Sequence, residues 1–128
     1  MRRVSARRGA LLLAAGRGAL GVAVLAAPEQ VTAGWLGRSN AQLPVVGDLA
    51  RSLGARDLAL GIATLLTLDD PVTGPRVQLL CALADATDVL ATVRARASLP
   101  RKGLYGTVAV AGAAAGAGLV FSHTLEHA

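Results

Sequence analysis

Residues 54–61 read Gly-Ala-Arg-Asp-Leu-Ala-Leu-Gly, and residues 82–88 read Ala-Leu-Ala-Asp-Ala-Thr-Asp. Each stretch sets ionisable side chains in the middle of an apolar run, and how those charges are accommodated decides the fold. Arg17 interrupts a third apolar run in the same way. Asp85 and Asp88 are three residues apart, about 60° around a helix, so they share a face. Arg56 and Asp57 are about 100° apart and are expected not to satisfy each other directly. The partners of the Asp pair must then come from other helices, and Arg17 and Arg56 are the candidates. Arg17, Arg56, Asp57, Asp85 and Asp88 are therefore expected to form one buried midplane polar cluster.

The chain around these stretches is short and apolar. It has 128 residues, of which 53% are hydrophobic and 16% charged, with mean hydropathy +0.52. An ordinary globular domain is about 25% charged. A small domain has a large surface to cover with polar groups, so this composition predicts a lipid-facing exterior. The net charge of +5 does not indicate nucleic acid, because the basic residues are scattered and only Trp35, Tyr105 and Phe121 could stack on bases. A single cysteine, Cys81, excludes an internal disulfide and a Cys-x-x-Cys pair.

Four apolar stretches set the expected architecture, since a helix crossing hydrocarbon needs about 20 residues. They predict helices over residues 10–27, 47–68, 77–93 and 104–122 of a single domain spanning 1–128. The fold class is all-α: a four-helix transmembrane bundle with a short interfacial helix between its first two helices. That short helix is read from Pro28 at a helical first position, Val31, Trp35 and Leu36 on one side, and Gly37 as the stop. Trp35 favours a headgroup layer. Asp69 to Arg76, with Pro71, Gly74 and Pro75, predicts a tight turn, and Arg94 to Gly103 a basic loop.

The implied location is the cytoplasmic membrane, crossed several times. Basic residues balance across the two sides, so the rule that positive loops stay inside only slightly favours a cytoplasmic N-terminus. Arg2, Arg3, Arg7 and Arg8 before an apolar run also read as a secretory signal ending near Val24-Leu25-Ala26. Arg17 breaks that apolar run, and cleavage would still leave three hydrophobic segments.

The remaining residue types give packing readings and no chemistry. Gly54 and Gly61 on the second helix, and Gly112 and Gly116 on the fourth, permit close helix approach, within the chain or between two copies. Cys81 reads as a small apolar packing residue. His123 and His127 are spaced i, i+4 and could share a metal, but a third fixed ligand is missing from the pattern, so no metal and no cofactor is expected. Phosphate-loop, Gly-x-Ser-x-Gly and His-Glu-x-x-His patterns do not occur in the sequence.

The run Gly54 to Gly61, followed by Ala82 to Asp88 and preceded by Arg17-Gly18-Ala19-Leu20-Gly21 with Pro28 and Trp35, resembles a known group. It is similar to small bacterial four-helix integral membrane proteins without an assigned activity, and more loosely to DoxX-type proteins. The resemblance spans Arg17 to Val93. It implies a four-helix membrane protein, and no residue role follows from it.

Together these readings predict a non-enzymatic small membrane component or partner subunit, held together by its midplane Arg/Asp cluster. Two alternatives stay open: a transporter unit coupled to a proton or small solute through Asp57, Asp85 and Asp88, and a quinone- or lipid-associated membrane enzyme. The expected partners are the lipid bilayer, other membrane proteins or a second copy, and not nucleic acid.

Overall fold

The computed structural model describes residues 2–127, with side chains from Val4 onward. These described residues form six α-helices: α1 (Arg2–Ala26), α2 (Pro28–Leu36), α3 (Arg38–Ala41), α4 (Pro44–Thr67), α5 (Thr73–Arg94) and α6 (Arg101–Glu126), with one 3-10 turn at Arg96–Ser98. The side chains of Arg2 and Arg3, counted above in the charge balance, lie outside the described residues.

Local chemistry sets the breaks. Pro28 and Pro44 occupy first-turn positions of α2 and α4, where a missing N–H costs nothing. α2 stops at Gly37, whose φ of 82° and ψ of 153° suit a residue without Cβ. Between α4 and α5, Asp70 Oδ1 accepts from the backbone N–H of Val72 at 2.8 Å and of Thr73 at 2.7 Å. These bonds satisfy free donors at the start of α5 and hold the Asp70 carboxyl below its ordinary pKa.

The long helices pack as two pairs, α1 on α4 and α5 on α6, with fewer contacts between the pairs. Glycine makes the first pair tight. A Cβ on Gly21 would lie 2.6 Å from the Gly54 carbonyl oxygen, and one on Gly61 would lie 3.0 Å from the Ala14 carbonyl oxygen. The α5–α6 pair closes at Gly118, where a Cβ would lie 3.1 Å from Ala82 Cβ. Small residues therefore fill the interior, among them Ala10, Ala14, Ala50 and Ala82, while Leu66 stands outside at 79% exposed. An apolar cluster lies at the end of the bundle where Ala10, Leu68 and Leu125 meet Leu11 and Phe121.

The expected four-helix transmembrane bundle is corrected by this architecture. Six helices close on one another as a bundle, and among the described residues those long and apolar enough to cross a membrane are two, Val4–Ala26 and Arg101–Glu126. The other two long helices carry too many charges: Asp48, Arg51, Arg56 and Asp57 on α4, and Arg76, Asp85, Asp88 and Arg94 on α5. The multi-pass membrane location, with its favoured cytoplasmic N-terminus, is corrected with it. So are the bilayer, membrane-protein and second-copy partners, because the bundle is built within one chain. The roles that rested on membrane architecture, namely membrane component, transporter unit and quinone- or lipid-associated membrane enzyme, are set aside for the same reason. The stretch expected to lie as one interfacial helix is two helices, α2 and α3, and α2 packs on the bundle through Trp35 and Gly103.

Candidate binding cavity and its charged wall

Sparse contact between the two helix pairs leaves a partly open cavity of about 630 Å³, lined by parts of α1, α2, α4, α5 and α6. On α1 it runs from Leu12 to Val24, about 18 Å of helix at 1.5 Å per residue. Leu13, Leu20, Val31 and Leu53 give it an apolar lining. Leu12 on α1 and Val110 on α6 line it too, yet are 75% and 72% exposed, so the cavity opens between those two helices. Gly16 and Gly106 also line it, and a Cβ on either would meet nothing within 4 Å.

One wall is charged. The structure brings Arg17 of α1, Arg56 and Asp57 of α4, and Asp85 and Asp88 of α5 together at the cavity. Arg17 donates from Nη1 to Asp57 Oδ1 at 3.1 Å and from Nη2 to Asp85 Oδ2 at 2.5 Å. Arg56 donates from Nη1 to Asp88 Oδ1 at 2.9 Å and from Nη2 to Asp88 Oδ2 at 2.6 Å. It also reaches Asp57 Oδ1 from Nη2 at 3.0 Å. That last contact corrects the expectation that Arg56 and Asp57 cannot satisfy each other: the Arg stem is long enough for its guanidinium to fold back onto the adjacent carboxylate, whatever the angle between their Cβ atoms.

Burial sets the electrostatics of this wall. The Arg17 and Asp85 side chains keep only 10% and 8% of their exposure. Burial pushes the Asp85 carboxyl above its ordinary value, and the hydrogen bond and charge of Arg17 offset this only in part. At Arg17 burial acts in the opposite direction, but the hydrogen bond and charge of Asp85 outweigh it and the guanidinium is held more firmly protonated. The Asp88 hydrogen bond, against burial, raises Arg56 in the same direction.

A smaller polar patch continues below Arg17 and Asp85. Gln78 Nε2 donates to Thr64 Oγ1 at 3.3 Å, and Thr64 lies 3.7 Å from the buried Cys81 sulfur. Gly54 and Gly61 sit at the α1–α4 crossing, whereas a Cβ on Gly112 or Gly116 would meet nothing within 4 Å. His123 and His127 meet edge to face near the end of α6, with ring centroids 4.4 Å apart. Among the described residues, no group of three or more His, Cys, Asp and Glu side chains gathers as a metal site would require.

Sequence reasoning missed the α2 and α6 side of the cavity. Trp35 lines it, while its indole Nε1–H is closed off from the cavity space and has no hydrogen-bond partner. Lys102 and Thr107 of α6 line it as well. No local pattern marks these residues, because the placement of Trp35 against α6 depends on the missing side chain of Gly103.

No protein family, curated protein or solved structure matches this chain. The resemblance to small four-helix bacterial membrane proteins and DoxX-type proteins is corrected accordingly, since both the match and the four-helix architecture it implied are lacking. The two segments that carried it have local explanations. Gly54 and Gly61 admit α1, and the charges of both segments pair with one another and with Arg17.

Proposed function

We propose that this chain is a binding protein for an elongated, mostly apolar small molecule with one polar end, which it holds without chemical turnover. The observation that carries this reading is the cavity: about 630 Å³, apolar along most of its length, with a few polar groups at fixed places. Ligand sites typically enclose roughly 300–1,000 Å³ and combine apolar walls with a small number of orienting polar groups. The charged wall supports binding over catalysis, because each of its five side chains is engaged in an ion pair with another. In this reading the pairs act as ties: Arg17–Asp85 joins α1 to α5 and Arg56–Asp88 joins α4 to α5, which fixes the separation of the helix pairs.

Trp35 is the sole tryptophan, so its emission reports occupancy directly. Dodecanol and dodecanoate, titrated below their micellar concentrations, are expected to shift that emission saturably for at least one of the two. Gly106→Leu adds a side chain at a cavity-lining position where a Cβ meets nothing within 4 Å, and it should raise helix propensity. It is expected to abolish the shift while leaving the thermal midpoint unchanged or higher. No saturable shift with either probe, or equal binding by Gly106→Leu, would overturn the reading.

A further inference from the structure

The charged wall of the cavity does not balance. It sets two guanidiniums, Arg17 and Arg56, against three carboxylates, Asp57, Asp85 and Asp88, so one negative charge has no positive counterpart within it. The hydrogen bonds show where the surplus lies. Arg56 takes both oxygens of Asp88, whereas Arg17 and Arg56 both donate to Oδ1 of Asp57 and Arg17 alone donates to Oδ2 of Asp85. Among the described residues, Asp57 Oδ2 and Asp85 Oδ1 accept from no protein donor, yet neither is sealed off as Trp35 Nε1 is. The Asp85 side chain keeps only 8% of its exposure and Asp57 14%, and both line the cavity, so the little of each that stays reachable includes its free oxygen. Lys102 also lines the cavity but stands apart. Ala114, which lines a narrow pocket together with Asp85, is twelve residues further along α6, about 18 Å of helix and beyond the screening length of about 10 Å in 0.1 M salt.

A buried carboxylate without a counter-charge is costly, and either a proton or a cation relieves it. The wall adjoins an apolar lining that includes Leu20, Val24 and Leu53, which suits a cation bringing apolar surface of its own. We propose that the ligand is an apolar chain ending in a protonated amine, with the ammonium held by Asp57 Oδ2 and Asp85 Oδ1 and the chain lying along Leu20, Val24 and Leu53. The proposal rests on the binding reading above and adds the chemistry of the polar end. Seven residues separate Arg17 from Val24, about 10 Å of α1, so an extended chain has an apolar run to follow from the wall. An ammonium donates in three directions and can serve both free oxygens, and its charge makes the wall neutral.

The test compares dodecylamine, dodecanol and dodecanoate by calorimetry on the full chain at neutral pH, with Asp57→Asn and Asp85→Asn beside the parent. Dodecylamine is expected to bind about tenfold or more tightly than dodecanol, the scale of one hydrogen bond between charged groups. The net charge of the chain is +5, so non-specific attraction would favour dodecanoate, and a preference for the amine has to come from the wall. Each Asn keeps an oxygen for the Arg it serves and removes the surplus charge, so either variant should cut the preference for dodecylamine over dodecanol about tenfold. Circular dichroism melts check that each variant is folded at the titration temperature, and either one suffices if the other is not. In the parent, dodecanol or dodecanoate binding as tightly as dodecylamine overturns the proposal and leaves the binding reading standing. An amine preference that survives in a folded variant also overturns it. If none of the three binds, the binding reading falls as well.

Discussion

Arg56 grips Asp88 with both terminal nitrogens, Nη1 to Oδ1 at 2.9 Å and Nη2 to Oδ2 at 2.6 Å, and this two-pronged pair ties α4 to α5 where the helices otherwise touch sparsely. The planar guanidinium matches a carboxylate in a way an ammonium cannot. Arg56→Lys is therefore expected to destabilise although it preserves charge. Arg56→Met should cost about 2 kcal/mol, below the range for a fully buried pair because both side chains keep some exposure. Adding Asp88→Leu should recover most of that loss, and a double-mutant cycle in urea measures it. An additive cycle would show that the pair does not tie the helices.

The pH dependence follows from Asp85. Its carboxyl is raised in the folded state above the ordinary 3.8, with burial the leading cause. The folded protein thus holds this proton more tightly than the unfolded chain does. Its stabilising contribution is full below the ordinary value and is lost as pH rises through the raised value. Asp85→Asn should remove that decline, so the difference in urea midpoint between parent and variant should change with pH in the window upward from 3.8 and stay flat well above it.

Asp70 acts with the opposite sign. Its carboxyl is lowered by hydrogen bonds from the Thr73 and Val72 amides. Its contribution is present above the ordinary carboxylate range and lost as pH falls through the lowered value. Asp70→Ala should lower the thermal midpoint at neutral pH and shrink the gap from the parent in strong acid. Circular dichroism melts across the acid range would check both.

The glycines separate into two groups by what a side chain would meet. Gly61→Leu forces atoms onto the α1 backbone near Ala14 and Gly18 and should cost about 1–3 kcal/mol or more. Gly112→Ala meets nothing and should be neutral or stabilising by up to about 1 kcal/mol. Chemical denaturation of the two variants gives the comparison, and a costly Gly112→Ala would reveal a contact the isolated chain lacks.

The sequence could indicate a gathering of charges but not its wiring. Two Arg and three Asp inside apolar runs cannot remain apart in a small interior, so proximity followed from the cost of burying each one alone. Which oxygen serves which guanidinium depends on side-chain reach, and the Arg56–Asp57 contact between neighbours does not follow from Cβ directions. Gly37, flanked by Pro28 and Pro44, marked breaks that local backbone chemistry fixes without help from the fold. Trp35 shows the reverse case. Its place beside the cavity depends on Gly103, which lies far along the chain and looks ordinary in a sequence with 15 glycines.

Composition and periodicity by themselves determined that this chain is helical, poor in charge, and obliged to pair the charges within its apolar runs, because those consequences follow from local backbone preference and the cost of desolvation. Tertiary structure alone decided that the described residues form six helices, that the four long ones pack as two glycine-tight pairs within one bundle, and that a cavity remains between the pairs. Hydropathy records what each segment would prefer to contact. Which neighbour supplies that contact is set by complementarity between segments distant in the chain, such as Gly21 against Gly54 and Trp35 against Gly103.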